Sequence, residues 1–332
     1  MGSIISKVDR LNVFLVFLSA ALAYLFPIRL LVLVFAILGP LHYFTEIHWL
    51  DKKGFFYRGD SKKWFWFALI CCFLVVSPKL IFAFFSDQLP FYKVLEAYNS
   101  WTNTFIFLAI VIAVIQLFST SIRYLICFGI LSIFATFLFQ GSKLYHDFIG
   151  LFVPTVIHVY LFTLLFMYFG AKSAKSQWGY IAIVSAIGLP ILLFTIPVDY
   201  SLINTDTLQS SIYVEEKFYI TPTVIGYYLG LTDLTFSFES AIHIKLIMFV
   251  AFMYTYHYLN WFSKTTIIQW HKGMSYTSVS LLCCAWFILM GLFYYDYSLG
   301  FVVALFFSLL HVILELPLNA KTIKFLIQKK TP

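Results

Sequence analysis

The sequence predicts an all-α fold: a polytopic membrane helical bundle of about ten transmembrane helices, with both termini cytoplasmic. Three observations predict it. Hydrophobic residues make up 61% of the 332 and charged residues 11%, against about 45–50% and about 25% in soluble domains. The apolar residues fall in long runs rather than alternating with polar ones. The basic residues gather in every second connection between those runs.

A spanning helix needs about 20 apolar residues, because it rises 1.5 Å per residue across about 30 Å of hydrocarbon. Reading runs between polar breaks gives ten spans, at 11–26, 28–50, 64–86, 101–118, 123–140, 148–170, 178–198, 240–262, 276–297 and 299–318. Pro27 and Arg29 interrupt the stretch 11–50, which is too long for one helix and reads as a tight hairpin. With ten spans both termini share one side. That side carries 16 of the 22 basic residues, among them Lys52, Lys53, Arg58, Lys62, Lys63, Lys329 and Lys330, while the other side carries only Arg29, Lys93, Lys143 and Lys217. The bias follows the positive-inside rule and puts the richer side in the cytoplasm. The net charge of +7 is therefore read as a topogenic signal and a headgroup contact, with no nucleic acid as partner.

The chain reads as one integral membrane domain, 1–332. Its long connection, 199–239, faces the extracytoplasmic side and carries Asp199, Asp206, Glu215, Glu216, Asp233 and Glu239 against one lysine. Its apolar middle, Tyr219 to Leu231 with Pro222, suits a re-entrant or interfacial segment. The five cysteines lie inside apolar runs without metal-ligand spacing and read as packing residues.

Ionisable residues at membrane depth are costly, so each is a functional candidate. Here they are mostly histidines: His42 in the second span, His158 in the sixth, His257 in the eighth and His311 in the tenth. All four spans run from outside to inside. The histidines lie roughly 12, 18, 8 and 10 Å from the inner ends, at 1.5 Å per residue. Four helices can thus bring one imidazole each to one layer of the cytoplasmic half, the way bundles build metal sites. Neutral imidazoles suit iron, zinc or copper, and the absence of thiolates beside them argues against structural zinc.

Glu46 follows His42, and Glu315 follows His311, by four residues, so each carboxyl shares a helix face with its histidine. It can be a direct ligand or can orient the imidazole from outside the coordination sphere; catalytic roles are assigned to both. His48 is an additional candidate ligand. Glu239 and His243 read as a pair near the outer surface, at a gate rather than in the inner cluster. His146 and His271 read as solvated loop residues. Tyr254, Tyr256, Tyr258, Asn260 and Trp261 surround His257 in sequence and suit either an interfacial belt or hydrogen bonding around the metal or substrate.

At these motifs the chain resembles the Brp/Blh family, the membrane-embedded carotene dioxygenases that make retinal. Gly39-Pro40-Leu41-His42 with Glu46 is similar to that family's early histidine motif. Ile157-His158 is similar to its middle motif, His257 to its later histidine, and His311 with Glu315 to its last. The order along the chain is the same. Both carboxylates are glutamate here where the family has aspartate, and Trp261 stands where the family offers a second histidine one turn after His257. The resemblance implies a helical bundle holding non-haem iron (Fe2+) through histidines.

The function expected is that of an intramembrane iron oxygenase acting on a lipophilic, isoprenoid or lipid-like substrate, with membrane lipid as surroundings and a bacterial inner membrane as location. A zinc-dependent lipid hydrolase, with metal-activated water and a glutamate base, is an alternative. So is a proton or metal-ion transporter using the same residues.

Overall fold

The computed structural model describes residues 2–53, 61–85, 90–119, 121–203, 207–272 and 274–327. Arg58, Asp206, Lys329 and Lys330, which entered the charge reading, lie outside the described residues. Those residues form helices α1 (Gly2–Leu25), α2 (Pro27–Ala36), α3 (Leu38–Lys53), α4 (Ser61–Phe84), α5 (Tyr92–Ser100), α6 (Asn103–Ile115), α7 (Ile122–Phe139) and α8 (Lys143–Asp147). A wide-turned π-helical stretch, Phe148–Phe162, leads into α9 (Thr163–Ala174) and α10 (Gln177–Thr195). Then come α11 (Leu208–Glu215), α12 (Ile220–Tyr228), α13 (Ala241–Ser263), α14 (Thr265–Ile268), α15 (Tyr276–Tyr295) and α16 (Tyr297–Ile327). Among the described residues ten helical segments are long and apolar enough to cross a membrane.

Local chemistry sets the boundaries. Pro27 occupies the first turn of α2, where a missing N–H costs nothing, so the chain turns at Phe26 as the hairpin reading expected. Side-chain oxygens of Ser142, Ser176, Thr207 and Ser275 accept the N–H of Tyr145, Gly179, Ser210 and Ser278, fixing the starts of α8, α10, α11 and α15. Lys175 adopts the left-handed conformation (φ 53°) that closes α9.

The structure departs from the sequence reading in three places. The second span is two helices, broken at Ile37, because Pro40 in the first turn of α3 has no N–H to continue the ladder from α2. The fourth is helical from Tyr92, with a turn at Trp101–Thr102 between α5 and α6. The last continues past Pro317 to Ile327.

The chain divides into two compact units. The first comprises residues 2–42 and 156–269. Its α13 packs against α1, α2, α10 and α12, and 78% of its apolar window is buried. The apolar stretch 219–231 becomes α12, whose Pro222, Thr223, Val224, Ile225 and Gly226 are buried. A Cβ on Gly226 would lie 2.6 Å from both Leu246 Cδ1 and Thr232 Oγ1, so a larger residue there would require those side chains to shift where α12 approaches α13. The second unit comprises residues 43–155 and 270–327. There α16 packs against α4, α6 and α15, and α6 against α7. α7 and α15 present long apolar faces outward, with only 11% of their windows buried; Phe134, Phe137, Leu281 and Phe287 are among the residues exposed there.

Candidate metal centre

In the first unit three helical elements each supply one buried histidine: His42 from the start of α3, His158 from the π-helical stretch and His257 from α13. The rings of His42 and His257 meet edge to face with centroids 4.7 Å apart, and those of His158 and His257 at 5.3 Å. The Nε2 atoms of His42 and His257 are 3.0 Å apart. π-Helical turns, closed i→i+5, are rare and concentrate at functional sites; the one here carries His158.

The orientation of His257 is set from its far side. Thr163, the first residue of α9, donates its hydroxyl proton to the Val159 carbonyl at 2.7 Å. Its Oγ1 lies 2.7 Å from His257 Nδ1. With its single proton committed, Oγ1 must accept, so Nδ1 carries the imidazole hydrogen. The lone pair of His257 is then on Nε2, aimed at His42. A partner on the second nitrogen that fixes tautomer and ring is the usual support of a metal-binding histidine.

Aromatic side chains wall this cluster. The Tyr258 ring lies 5.1 Å from that of His42 and 5.4 Å from that of His257, and Trp261 stands edge-on to His42 at 5.4 Å. Tyr254 packs on Phe35 at 4.6 Å, and Tyr256 donates its hydroxyl to Met167 Sδ at 3.3 Å. All five residues Tyr254, Tyr256, Tyr258, Asn260 and Trp261 are buried, so they form an interior wall rather than an exposed belt.

In the second unit His311 is buried on α16, stacked on Tyr43 with centroids 4.8 Å apart. Glu46 and Glu315 are also buried there, close enough to interact with each other. Asn319 donates from Nδ2 to Glu315 Oε2 at 3.2 Å. His311, Glu315 and Asn319 thus form a buried polar ladder at four-residue spacing on one face of α16.

The ring nitrogens of His42, His158 and His257 in the first unit lie within 4.8 Å of one another, and the second unit supplies the buried His311. A buried four-histidine group of this kind can hold a metal ion.

The remaining candidates lie elsewhere. His48 lines an apolar cleft of about 750 Å3 in the second unit, with Asp51 and Lys62 also in its lining and Phe44, Phe65, Trp66 and Phe307 among its walls. The Glu239–His243 pair does not form. Glu239 is exposed and precedes α13, whose N-cap is Ser240, so four-residue helical spacing does not apply to it. His243 is buried instead, 5.6 Å from Phe236, and neither of its nitrogens has a hydrogen-bond partner. His146 is not a solvated loop residue: it sits in α8, half-buried, with Nε2 2.7 Å from the Gln140 carbonyl and Nδ1 3.2 Å from Asn103 Nδ2. His271 is exposed in a turn, as expected.

Sequence reasoning missed Thr163 and Asn319. Asn319 had a signal, since it extends the His311–Glu315 spacing by one more turn. Thr163 had only its place five residues after His158, a spacing with no meaning until the wide turns are known. No family model matches the chain, and no curated protein or solved structure does either.

Proposed function

We propose that the chain spans a membrane ten times with cytoplasmic termini and is a metalloenzyme whose ion is held by His42, His158, His257 and His311. The observation that carries this reading is the convergence of buried imidazole nitrogens, with the lone pair of His257 pre-aimed by Thr163. The Nε2 atoms of His42 and His257 stand 3.0 Å apart, a separation at which either a hydrogen bond from His42 or a shared cation joins the two rings. Nitrogens bonded at about 2.1 Å to one ion at a right angle stand about 3.0 Å apart, so the residues fit the group they are asked to hold.

Iron is the metal proposed. The donors are neutral nitrogens without thiolate, and iron with open positions supplies activation of dioxygen. The substrate class is lipophilic. The 750 Å3 cleft falls within the range of small-molecule sites, is walled mainly by aromatic and aliphatic side chains, and has a few polar groups that can fix a head group. Tyr258 and Trp261 keep water from the imidazoles. Glu46 and Glu315, each one turn beyond a histidine of the group, would orient the ligands or handle protons.

Elemental analysis of the purified protein tests the reading. Iron near one equivalent, with oxygen uptake on adding a long-chain isoprenoid, supports it. Zinc in iron's place, with ester or amide cleavage, would transfer the site to the hydrolase reading. Absence of any transition metal after growth in supplemented medium sinks both.

A further inference from the structure

We infer that the cleft of the second unit binds a membrane phospholipid whose head group carries a phosphate and a primary ammonium, with the head at the end of α3 and a chain toward His311. This rests on the proposed reading of the cleft as the substrate's, and it names the class of molecule that fills it.

The cleft is polar at one end only. His48 and Asp51 lie in the last turns of α3, Lys62 in the first turn of α4 and Ser278 in the first turn of α15, and all four line it. Away from that end the same helices offer apolar side chains. On α4 the lining reaches Leu69, and on α15 it reaches Ala285. Each is two turns beyond the polar residue of its helix, about 10 Å at 1.5 Å per residue. On α3 the lining reaches back one turn from His48 to Phe44. Three helices thus change from polar to apolar in the same direction, which is the polarity of one amphiphile lying along them.

The apolar end adjoins His311 within this unit. Leu310 directly precedes His311 on α16, Phe44 directly follows Tyr43 on α3, and both line the cleft. Phe44 packs on Phe307 with ring centroids 4.9 Å apart, and Tyr43 stacks on His311 at 4.8 Å. A chain that fills the cleft therefore ends one residue from the Tyr43–His311 stack on each helix.

The charges select the head. Asp51 and Lys62 both line the cleft, and among the described residues they form no ion pair with each other. His48 Nε2 has no hydrogen-bond partner. A head of negative charge alone would set that charge against Asp51. An uncharged head would neutralise neither residue, and a trimethylated ammonium has no N–H to give a carboxylate. A phosphate beside Lys62 and a primary ammonium beside Asp51 give each charge its opposite through charge-assisted hydrogen bonds. The remaining phosphate oxygens can then accept from His48.

The test uses the full chain, purified in detergent and delipidated. The probes are phosphatidylethanolamine, phosphatidylcholine and phosphatidylglycerol with identical acyl chains, each titrated and counted by native mass spectrometry. Phosphatidylethanolamine should bind at one saturable equivalent, at least tenfold more tightly than either of the others. Lys62→Gln and Asp51→Asn should each cut that preference below about threefold. Ala285→Phe, which fills the apolar part and leaves the charges in place, should weaken binding at least tenfold. If Ala285→Phe does not fold, the two exposed charge variants decide the matter. Equal binding of the three lipids, or a preference indifferent to Lys62→Gln and Asp51→Asn, overturns the inference. So does phosphatidylglycerol bound as tightly as phosphatidylethanolamine and lost only in Lys62→Gln, since the occupant is then a simple anion. Elemental analysis of the same preparations separates this inference from the metal reading. Iron without lipid selectivity overturns the lipid site alone, and lipid selectivity without any transition metal supports the lipid site and removes the metalloenzyme.

Discussion

Thr163 accepts the Nδ1 hydrogen of His257 at 2.7 Å while giving its own proton to the carbonyl of Val159, also at 2.7 Å. The hydroxyl is thereby polarised in one direction, and the imidazole can present only Nε2 to its neighbours. Thr163→Val keeps the shape and removes the acceptor. Metal affinity should fall by about 10–100-fold, the range typical when a ligand's supporting partner is lost, and Thr163→Ser should restore most of it. Unchanged affinity in the valine variant would show that packing alone orients His257.

Alanine substitution at His42, His158, His257 or His311 should each strip most of the metal from the purified protein. His48→Ala should leave the content unchanged, because His48 lines the cleft and not the histidine group. The proposal fails if three of the four variants retain wild-type content by elemental analysis.

Both termini, α3's Lys52 and Lys53, and Lys264 are expected on the cytoplasmic side. In a cysteine-free background, single cysteines in 208–239 should react with an impermeant maleimide in intact cells, and cysteines at 51–53 should react only after permeabilisation. Reaction at 51–53 from outside would invert or break the ten-span topology.

Lys264 lies just beyond the last turn of α13, and burial pushes its amine down to about 8, with Asp9 opposing the shift. The folded amine releases its proton near pH 8, while the unfolded chain keeps its own to the ordinary lysine range. Between these values the unfolded state binds more protons, so folded stability gains with rising pH. Thermal melts in detergent from pH 8 to 10 should show a more positive slope for the wild-type chain than for Lys264→Met. Parallel slopes would place the charge elsewhere.

The sequence made the helices legible because long apolar runs stand apart from their polar breaks, and the starts of α2, α8, α10, α11 and α15 can be read from a proline or a hydroxyl cap. The histidines were legible for a related reason: an imidazole stands out against Phe, Leu and Ile. Their supports were not. Thr163 resembles any other threonine in a helix, and its partner is 94 residues away. Glu46 and Glu315 lie on helices at opposite ends of the chain, so four-residue spacing from a histidine identified both residues but not that they come close to each other. Glu239 and His243 misled for the opposite reason, since matching spacing counts only where the helix includes both residues.

The character of α13 bears on how the protein is made. Among the ten described helical segments long and apolar enough to cross a membrane it is the least apolar and the most enclosed, carrying His243, Lys245, His257 and Asn260 among its tyrosines. Such a segment gains little from lipid when it leaves a translocon alone. The helices it packs against most, α1, α2, α10 and α12, precede it in the chain. In synthesis from the N-terminus they are finished and waiting when α13 emerges, so its surroundings are protein from the outset. Expressed without them, the Ala241–Ser263 segment should integrate poorly in a microsomal insertion assay, and adding α1, α2 and α10 back should rescue it. The helix that bears His257 would then be one whose insertion depends on helices made before it.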